Sequence, residues 1–461
     1  MRNQSTLAIP QLKCLLLYCF DIVNVRLGLL FFSLIILVSS NIAIGILFVD
    51  FVSAVEKQPY AAKQPSLNDP HLKAQLISSQ LKAPTSMAFI DMQDIVVLER
   101  YNGTVRRIIN DTLKPEPLLD VNVSKGIGER GMLGVTISKS IPGQVYVYLY
   151  YTESKSDNGE AIGNRLYRYE LSNDKLVNRK LLLDLPAEPG PYHNGGSLLT
   201  GPDNNIYLTI GELDNVDDKK EPDTKASNVK GGKEANGSGG ILRITENGQA
   251  VGEGIIGGVH PLNLYYAYGI RNSFGIDFDP LTGNLWDTEN GPNFGDEINL
   301  VLPGFNSGWL KVQGIWQQEN GNIGEIAQNS IKDLIDFNGK GKYSEPEFIW
   351  KNRHGPTALK FFNSTKLGQQ YENDLFVADL HFGKIYHFDL SENRNGLLLN
   401  GLLKDKIADD NSELEGNIFA EGFLGGITDL EVGPDGFLYV VSGIWSEGSL
   451  YRIIPVPDGT K

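Results

Sequence analysis

The sequence predicts an all-β protein, a six-bladed β-propeller with an N-terminal transmembrane helix. The chain has 461 residues, which is large for one compact domain unless that domain is built from repeats. Six loosely similar segments recur along it, each with a short alternating strand, a turn rich in Pro, Asp, Gly and Asn, and a second strand rich in Val, Ile, Tyr and Leu. Hairpins repeated in this way are typical of blades around a central axis.

The six repeats share this order of strand, turn and strand. Several continue into a third strand, such as "RLYRYEL", "GILRI" or "SLYRI". A two-sheet sandwich of unrelated hairpins is the alternative, although sandwiches rarely reach this length. We therefore assign residues 81–456 to the propeller. The repeats begin at Pro84, Arg130, Asn194, Arg271, Thr357 and Gly425.

The segment before the repeats predicts a membrane anchor. Residues 27–49 are apolar for long enough to cross a bilayer as a helix, since about 20 residues suffice. Basic residues precede this span, so we expect residues 1–26 in the cytoplasm and the propeller outside it, on a single-pass protein of the cell membrane. An unusually long signal peptide, cleaved near Ala54 to give a secreted protein, is the alternative. Residues 50–80 are polar and unpatterned and are predicted to be a linker.

Composition excludes several functions. The formal net charge is -15, and this acidic excess argues against a nucleic-acid partner, because binding phosphates requires clustered Lys and Arg. Both cysteines, Cys14 and Cys19, lie in the N-terminal segment. The propeller therefore has no thiol for a disulfide, a zinc site or a nucleophile.

A histidine followed by glycines, in "YHNGGSLL", is the first candidate for chemistry. His193 lies at the entry to one repeat, Glu129 at the entry to the repeat before it, and Arg271 and Asn272 at the entry to the repeat after it. A lone histidine is more often structural, but polar residues at the same position of consecutive blades would line one central cavity. We therefore expect these four side chains to converge at the mouth of the central channel.

The second dense motif is "ENGPNFGDEINLV". Main-chain carbonyls of Gly291 and Pro292, with Asp296 and Glu297 close behind, are hard oxygen ligands of the kind that calcium takes. A capped turn with solvated carboxylates is an equal alternative, because no complete calcium-loop pattern is present.

Together these motifs resemble one family. The runs "YHNGGSLLTGPDNNIYLTIGE", "YGIRNSFGIDFDPLTGNLWDTENGPNFGDEINLV" and "GPDGFLYVVSG" are similar to those of the glucose/sorbosone dehydrogenases, and the similarity extends over residues 84–455. The resemblance implies a six-bladed propeller that binds pyrroloquinoline quinone and Ca²⁺, oxidises the anomeric carbon of aldose sugars, and passes electrons to an external acceptor that the sequence does not identify.

The resemblance also implies roles for individual residues. His193 resembles the general base of the family, Glu212 the carboxylate that supports it, and Arg271 the residue beside the reactive quinone carbonyl. Glu129 and Asn272 resemble cofactor contacts, and Gly291 and Pro292 the carbonyl ligands of calcium. An imidazole is suited to take the proton of a sugar hydroxyl, because it titrates near neutrality.

The sequence departs from the family in the last two blades. Where the family has an Arg-x-Arg-Asp run, this chain has Gly426 and Thr428, and His381 stands where a lysine is usual. We predict His381 and Thr428 as cofactor-binding residues; Arg353, His354 and Lys384 are possible substitutes for the missing cations. Two functions follow: a quinoprotein sugar dehydrogenase, or a propeller that binds a carbohydrate or a partner protein at the same channel without redox turnover.

Overall fold

The computed structural model describes residues 64–457, apart from 126–127, 158, 215–221 and 321. Strands dominate it, as expected for an all-β protein. No helix in this described part is long and apolar enough to cross a membrane, and the predicted span, residues 27–49, lies outside it. The helices described are short 3-10 segments: Lys225–Ser227, Leu262–Leu264, Ser330–Asp333, Gln369–Tyr371, Gly401–Asp405 and Asn411–Asn417.

The first three repeats each form one sheet whose first strands pair antiparallel. Sheet 1 contains Pro84–Asp91, Asp94–Glu99, Thr104–Ile109, Thr112–Leu113 and Leu119–Asp120. Sheet 2 contains Met132–Ser138, Tyr146–Ser154, Ala161–Ser172 and Lys175–Leu185. Sheet 3 contains Leu198–Thr200, Ile206–Ile210, Gly240–Ile244 and Tyr265–Tyr268, with Phe305–Asn306 and Lys342–Tyr343 added in parallel.

The last three repeats form sheets of the same kind. Sheet 4 contains Ser273–Phe278, Leu285–Glu289, Asp296–Val301, Phe348–Trp350 and Ile407–Ala408. Sheet 5 contains Pro356–Phe361, Leu375–Asp379, Lys384–Phe388, Ile418–Glu421 and Ser66–Leu67. Sheet 6 contains Ile427–Val432, Leu438–Ser442, Glu447–Pro455 and Leu72–Lys82. A small separate sheet contains Val312–Gln313, Trp316–Glu319 and Asn322–Ile326.

The six sheets form a closed, propeller-like ring. The first strand of each sheet contacts the first strand of the next, from sheet 1 to sheet 6, and the first strands of sheets 6 and 1 also contact each other. Six clusters of buried apolar side chains lie between the sheets, one for each neighbouring pair. Because burying apolar surface stabilises each contact, the ring is a firm frame for the residues at its centre.

An N-terminal strand completes the last sheet. Leu72–Lys82 pairs antiparallel with Glu447–Pro455, the strand at the end of the domain, and the register runs from Leu72 opposite Pro455 to Lys82 opposite Glu447. The linker prediction for residues 50–80 is therefore wrong from residue 66 onward, because Ser66–Leu67 pairs with sheet 5 and Leu72–Lys82 with sheet 6. The physical reason is that the last strand would otherwise present an unpaired edge, whose N–H and C=O groups need partners.

Candidate active site

A central cavity gathers the residues that the sequence placed at blade entries. Glu129, His193, Arg271 and Asn272 all line it. Three more of the predicted site residues, Gly291, His381 and Thr428, also line it, whereas Glu212 lies behind His193 and Pro292 is not part of the lining. The closed ring fixes the positions of the sheets that supply these side chains. One ligand in the cavity would therefore contact residues from several blades.

The backbone of His193 is held in an uncommon conformation. Its φ of 57° lies in the left-handed region, which costs free energy for any residue other than glycine. The N–H of His193 donates to Oε2 of Glu129 at 2.8 Å, and the next blade ties the same carboxylate through Nδ2 of Asn272 at 3.3 Å. These bonds fix the histidine relative to two neighbouring sheets.

The His193 side chain is oriented by a buried carboxylate. Nδ1 of His193 lies 3.1 Å from Oε1 of Glu212, and both side chains are buried. The other oxygen of Glu212 accepts a hydrogen bond from Nε1 of Trp309, and Nε of Arg271 lies 3.8 Å from Oε1. Glu212 is therefore surrounded by donors, which favour its charged form.

Burial shifts the pKa values of His193 and Glu212 in opposite directions. It lowers the pKa of His193 to about 3, with the charge of Arg271 adding to the effect. It raises the pKa of Glu212 to about 7, against the opposing effects of Arg271 and the Trp309 hydrogen bond. A neutral imidazole whose Nδ1–H donates to the carboxylate has its lone pair on Nε2, which is the form that a general base requires.

Arg271 is bound tightly to the loop that follows Glu289. Its N–H donates to Oε1 of Glu289 at 2.7 Å, and its Nη1 donates to the carbonyls of Asn290 at 2.8 Å and Gly291 at 3.0 Å. The guanidinium also lies 5.4 Å from the centre of the Trp309 ring. The positive charge of Arg271 thus has a fixed position at the cavity wall.

The predicted calcium site does not fit calcium in this arrangement. The Gly291 carbonyl is already bound to the Arg271 guanidinium, and one cation repels another at such a distance. Asp296 is also used elsewhere, because its oxygens accept from the N–H groups of Gly291, His354 and Gly355. Asp296 thus caps the turn, but it is fully buried and not solvated as the capped-turn alternative expected. The geometry does not support Gly291 as a metal ligand, and Pro292 as a metal ligand stays a prediction.

The cavity does fit a polar organic cofactor. Nε of Arg271 and Oδ1 of Asn272 are buried on cavity-lining residues and have no hydrogen-bond partner. Buried polar atoms are nearly always hydrogen-bonded, so these two atoms call for a ligand that offers both an acceptor and a donor. Pyrroloquinoline quinone carries such groups on its ring system.

Sheet 6 contributes no cation to the cavity. The Thr428 hydroxyl is directed to the carbonyls of Pro84 at 3.2 Å and Val441 at 3.4 Å, and Gly426 could not carry a side chain, because a Cβ there would meet the Leu380 carbonyl at 2.2 Å. Among the possible substitutes, Arg353 lines the cavity, whereas His354 and Lys384 do not.

Two further cavity residues were missed by sequence reasoning. Arg100, which follows the second strand of sheet 1, is only 1% exposed, and Trp445 of sheet 6 is 59% exposed. The guanidinium of Arg100 lies 5.7 Å from the centre of the Trp445 ring. The position of Arg100 at a strand end was the available signal, because strand ends also supply the other polar residues of the cavity.

The fold and the site together define a propeller-like protein with a buried histidine, paired with a carboxylate, at its central cavity. The chain belongs to the glucose/sorbosone dehydrogenase family, whose model matches residues 81–452. It is 25% identical to the aldose sugar dehydrogenase YliI of Escherichia coli over 389 residues, which cover 83% of this chain and 93% of that protein. It is 30% identical to quinoprotein glucose dehydrogenase B of Acinetobacter calcoaceticus over 308 residues, 62% of this chain and 63% of that protein.

Solved structures share the fold. The apo form of the soluble aldose sugar dehydrogenase of Escherichia coli matches with a TM-score of 0.61 at 22% identity, over 84% of this chain and all of that chain. The aldose sugar dehydrogenase of Streptomyces coelicolor, in its form bound to pyrroloquinoline quinone, matches with a TM-score of 0.56 at 19% identity, over 84% of this chain and 99% of that chain.

Proposed function

We propose that this protein is a six-bladed propeller that oxidises aldose sugars at the anomeric carbon with pyrroloquinoline quinone. The observation that carries the proposal is the buried His193, held neutral and oriented by Glu212 at the central cavity. The family and the quinoprotein relative support the cofactor. The proposal favours catalysis over sugar binding alone, since a passive binder has no need of an oriented imidazole.

Each residue of the site has its own role in the proposed reaction. Nε2 of His193 takes the proton of the anomeric hydroxyl, while Glu212 holds Nδ1 and stabilises the imidazolium that forms. The hydrogen bound to the anomeric carbon then leaves with the electron pair of its C–H bond. The fixed charge of Arg271 stabilises negative charge that develops at the adjoining wall of the cavity. Glu129 and Asn272 position His193 and the ligand.

Pyrroloquinoline quinone, when bound, supplies the two-electron acceptor for this hydrogen. Residues that would hold it are Arg271 and Asn272, through the buried atoms that lack a hydrogen-bond partner, with His381 on the part of the lining that neighbouring sheet 5 supplies. An external acceptor, which the sequence does not identify, would then remove the electrons.

We also propose that the protein is anchored in the cell membrane by residues 27–49, with the propeller outside the cytoplasm. The support is the length of the apolar segment and the basic residues before it. Secretion after cleavage near Ala54 remains the alternative, and N-terminal sequencing of the mature protein distinguishes the two.

One experiment tests the proposed activity. The full-length protein is incubated with pyrroloquinoline quinone, and the reduction of an artificial dye is followed with glucose and other aldoses. We expect sugar-dependent dye reduction that requires the added cofactor. Cofactor binding without turnover of any aldose would overturn the proposal, and sugar binding alone would favour the non-redox alternative.

A further inference from the structure

The cavity contains two guanidinium groups that no carboxylate pairs with. Arg100 is 1% exposed; it donates to the carbonyls of Arg130, at 3.1 Å, and Gly128, and its guanidinium lies 4.7 Å from the centre of the Tyr101 ring. It has no ion pair within 4.0 Å among the described residues, and the charge of Glu129 acts on it from further away. Burying a charge without a counter-ion is costly, so an anion at this wall would stabilise the protein.

Arg353 is the second such group. It lies in the connection between sheets 4 and 5, lines the cavity and is exposed. Its guanidinium forms no hydrogen bond or ion pair within the described part of the chain. Its positive charge nevertheless acts on residues of the cavity, since it contributes to lowering the pKa of both His193 and His381.

The two arginines lie on either side of sheet 6. Arg353 precedes the first strand of sheet 5 and Arg100 follows the second strand of sheet 1, and sheet 6 lies between these sheets in the ring. The part of the lining that sheet 6 supplies, Thr428, Asp429, Ile444 and Trp445, contains no cation. Burial raises the pKa of Asp429 to about 8, so this wall is close to neutral at pH 7 and does not repel an anion.

We propose that Arg353 and Arg100 bind a carboxylate group of the ligand in front of sheet 6. Arg100 supplies a buried, fixed charge, and Arg353 closes on the carboxylate from the rim, where it is free to move. The inference rests on the proposed function, and the carboxylate belongs either to the quinone cofactor, which carries three, or to an acidic sugar such as a uronic acid. Both sources place the same chemical group beside the same two guanidinium groups.

The test compares Arg353→Gln with the full-length wild type. Lys351→Gln is the matched control, because it removes the same charge two residues away from Arg353. Lys351 does not line the cavity and pairs with Asp409. Affinity for pyrroloquinoline quinone is measured by absorbance titration, and affinities for glucuronate and glucose by calorimetry. Arg353 is at the rim, so its substitution should not impair folding. Arg353→Lys keeps the charge and should restore part of the affinity.

We expect Arg353→Gln to weaken one carboxylate ligand about tenfold, the effect of one charge-assisted hydrogen bond, and Lys351→Gln to weaken neither. Loss of quinone affinity assigns the carboxylate to the cofactor; loss of glucuronate affinity with glucose affinity unchanged assigns it to the substrate. Unchanged affinity for both, or a wild type that binds neither, overturns the inference. A wild type that binds glucuronate but no quinone would instead contradict the proposed cofactor alone.

Discussion

Nδ1 of His193 lies 3.1 Å from Oε1 of Glu212, and the two residues stand at the two ends of one hairpin of sheet 3. The hairpin turns so that the residue before its first strand meets the residue after its second. Trp309, almost a hundred residues further on, holds the other oxygen of Glu212. Glu212 thereby orients the imidazole that we propose as the general base.

Replacing Glu212 with glutamine should reduce turnover. The amide is nearly isosteric, but its NH₂ group would face either the Trp309 N–H or Nδ1 of His193, and one hydrogen bond of the pair would be lost. We expect kcat to fall about 10- to 100-fold, with a loss of stability of about 1–3 kcal/mol. Steady-state kinetics and thermal unfolding test this, with the exposed Glu415→Gln as control. Wild-type kcat in Glu212→Gln would show that the carboxylate does not orient the base.

The pH dependence should follow the pair rather than a free histidine. Burial raises the pKa of Glu212 to about 7, and the Glu212 carboxylate is ionised only above its pKa. When the pair takes up a proton, either the imidazole changes tautomer, so that Nε2 carries the hydrogen, or the imidazole itself becomes charged. In both forms Nε2 has no free lone pair. We therefore expect kcat/KM to fall as the pH drops through about 7.

In Glu212→Gln only His193 titrates. Because burial lowers the pKa of His193 to about 3, the acid limb of this variant should move to a pH well below that of the wild type. Profiles of kcat/KM between pH 5 and 9 show whether the acid limb of the wild type, near pH 7, is absent from the variant. An acid limb at the same pH in both proteins would contradict the assignment.

Asp287 should make the protein less stable at alkaline pH. Both of its carboxylate oxygens are buried without a well-aligned hydrogen bond, and burial raises its pKa to about 7 against smaller opposing effects of Asn299 and Ser273. A raised folded-state pKa gives stability that is fully present below the ordinary pKa of aspartate and is lost as the pH rises through the folded value. Asp287→Asn cannot ionise, so its Tm at pH 8 should exceed that of the wild type by about 2–4 °C.

At pH 4.5 the difference should be much smaller, because Asp287 is then neutral in the folded protein and only its ionisation in the unfolded chain still lowers the stability of the wild type. Thermal unfolding in the presence of EDTA at both pH values measures this, with the exposed Asp120→Asn as control. A variant that is less stable than the wild type at pH 8 would show that the Asp287 carboxylate has a stabilising partner.

Thr428→Val should leave cofactor affinity unchanged. The Thr428 hydroxyl bonds to the carbonyls of Pro84 and Val441 rather than pointing at the cavity, so its removal should cost about 1 kcal/mol of stability. Absorbance titration with pyrroloquinoline quinone and urea unfolding separate the two effects. A tenfold weaker affinity would restore Thr428 to the role that the sequence predicted.

The repeats predicted the sheets because alternation and turn residues are local properties of a chain. The shared position of Glu129, His193 and Arg271 predicted the cavity for the same reason: each lies two to five residues before the first strand of a sheet. The N-terminal strand Leu72–Lys82 was missed because its partner, Glu447–Pro455, lies at the other end of the domain.

Side-chain direction was also beyond the reach of the sequence. Arg271 binds the Gly291 carbonyl that was expected to hold calcium, and the hydroxyl of Thr428 bonds to main-chain carbonyls although the residue lines the cavity. The acceptor that a side chain binds depends on backbone groups that come close to it only in the folded protein. The contact of Trp309 with Glu212 is of this kind.

The most direct test of the account is the substitution His193→Ala. An imidazole base contributes mainly to proton transfer in the transition state, so the variant should bind pyrroloquinoline quinone as the wild type does, while kcat for aldose oxidation falls about 10²- to 10⁴-fold. The exposed His71→Ala serves as the control and should leave both unchanged. The decisive measurement is single-turnover reduction of the bound cofactor by glucose: a large loss of rate with intact binding is predicted, and wild-type rate in His193→Ala would show that His193 is structural and not the base.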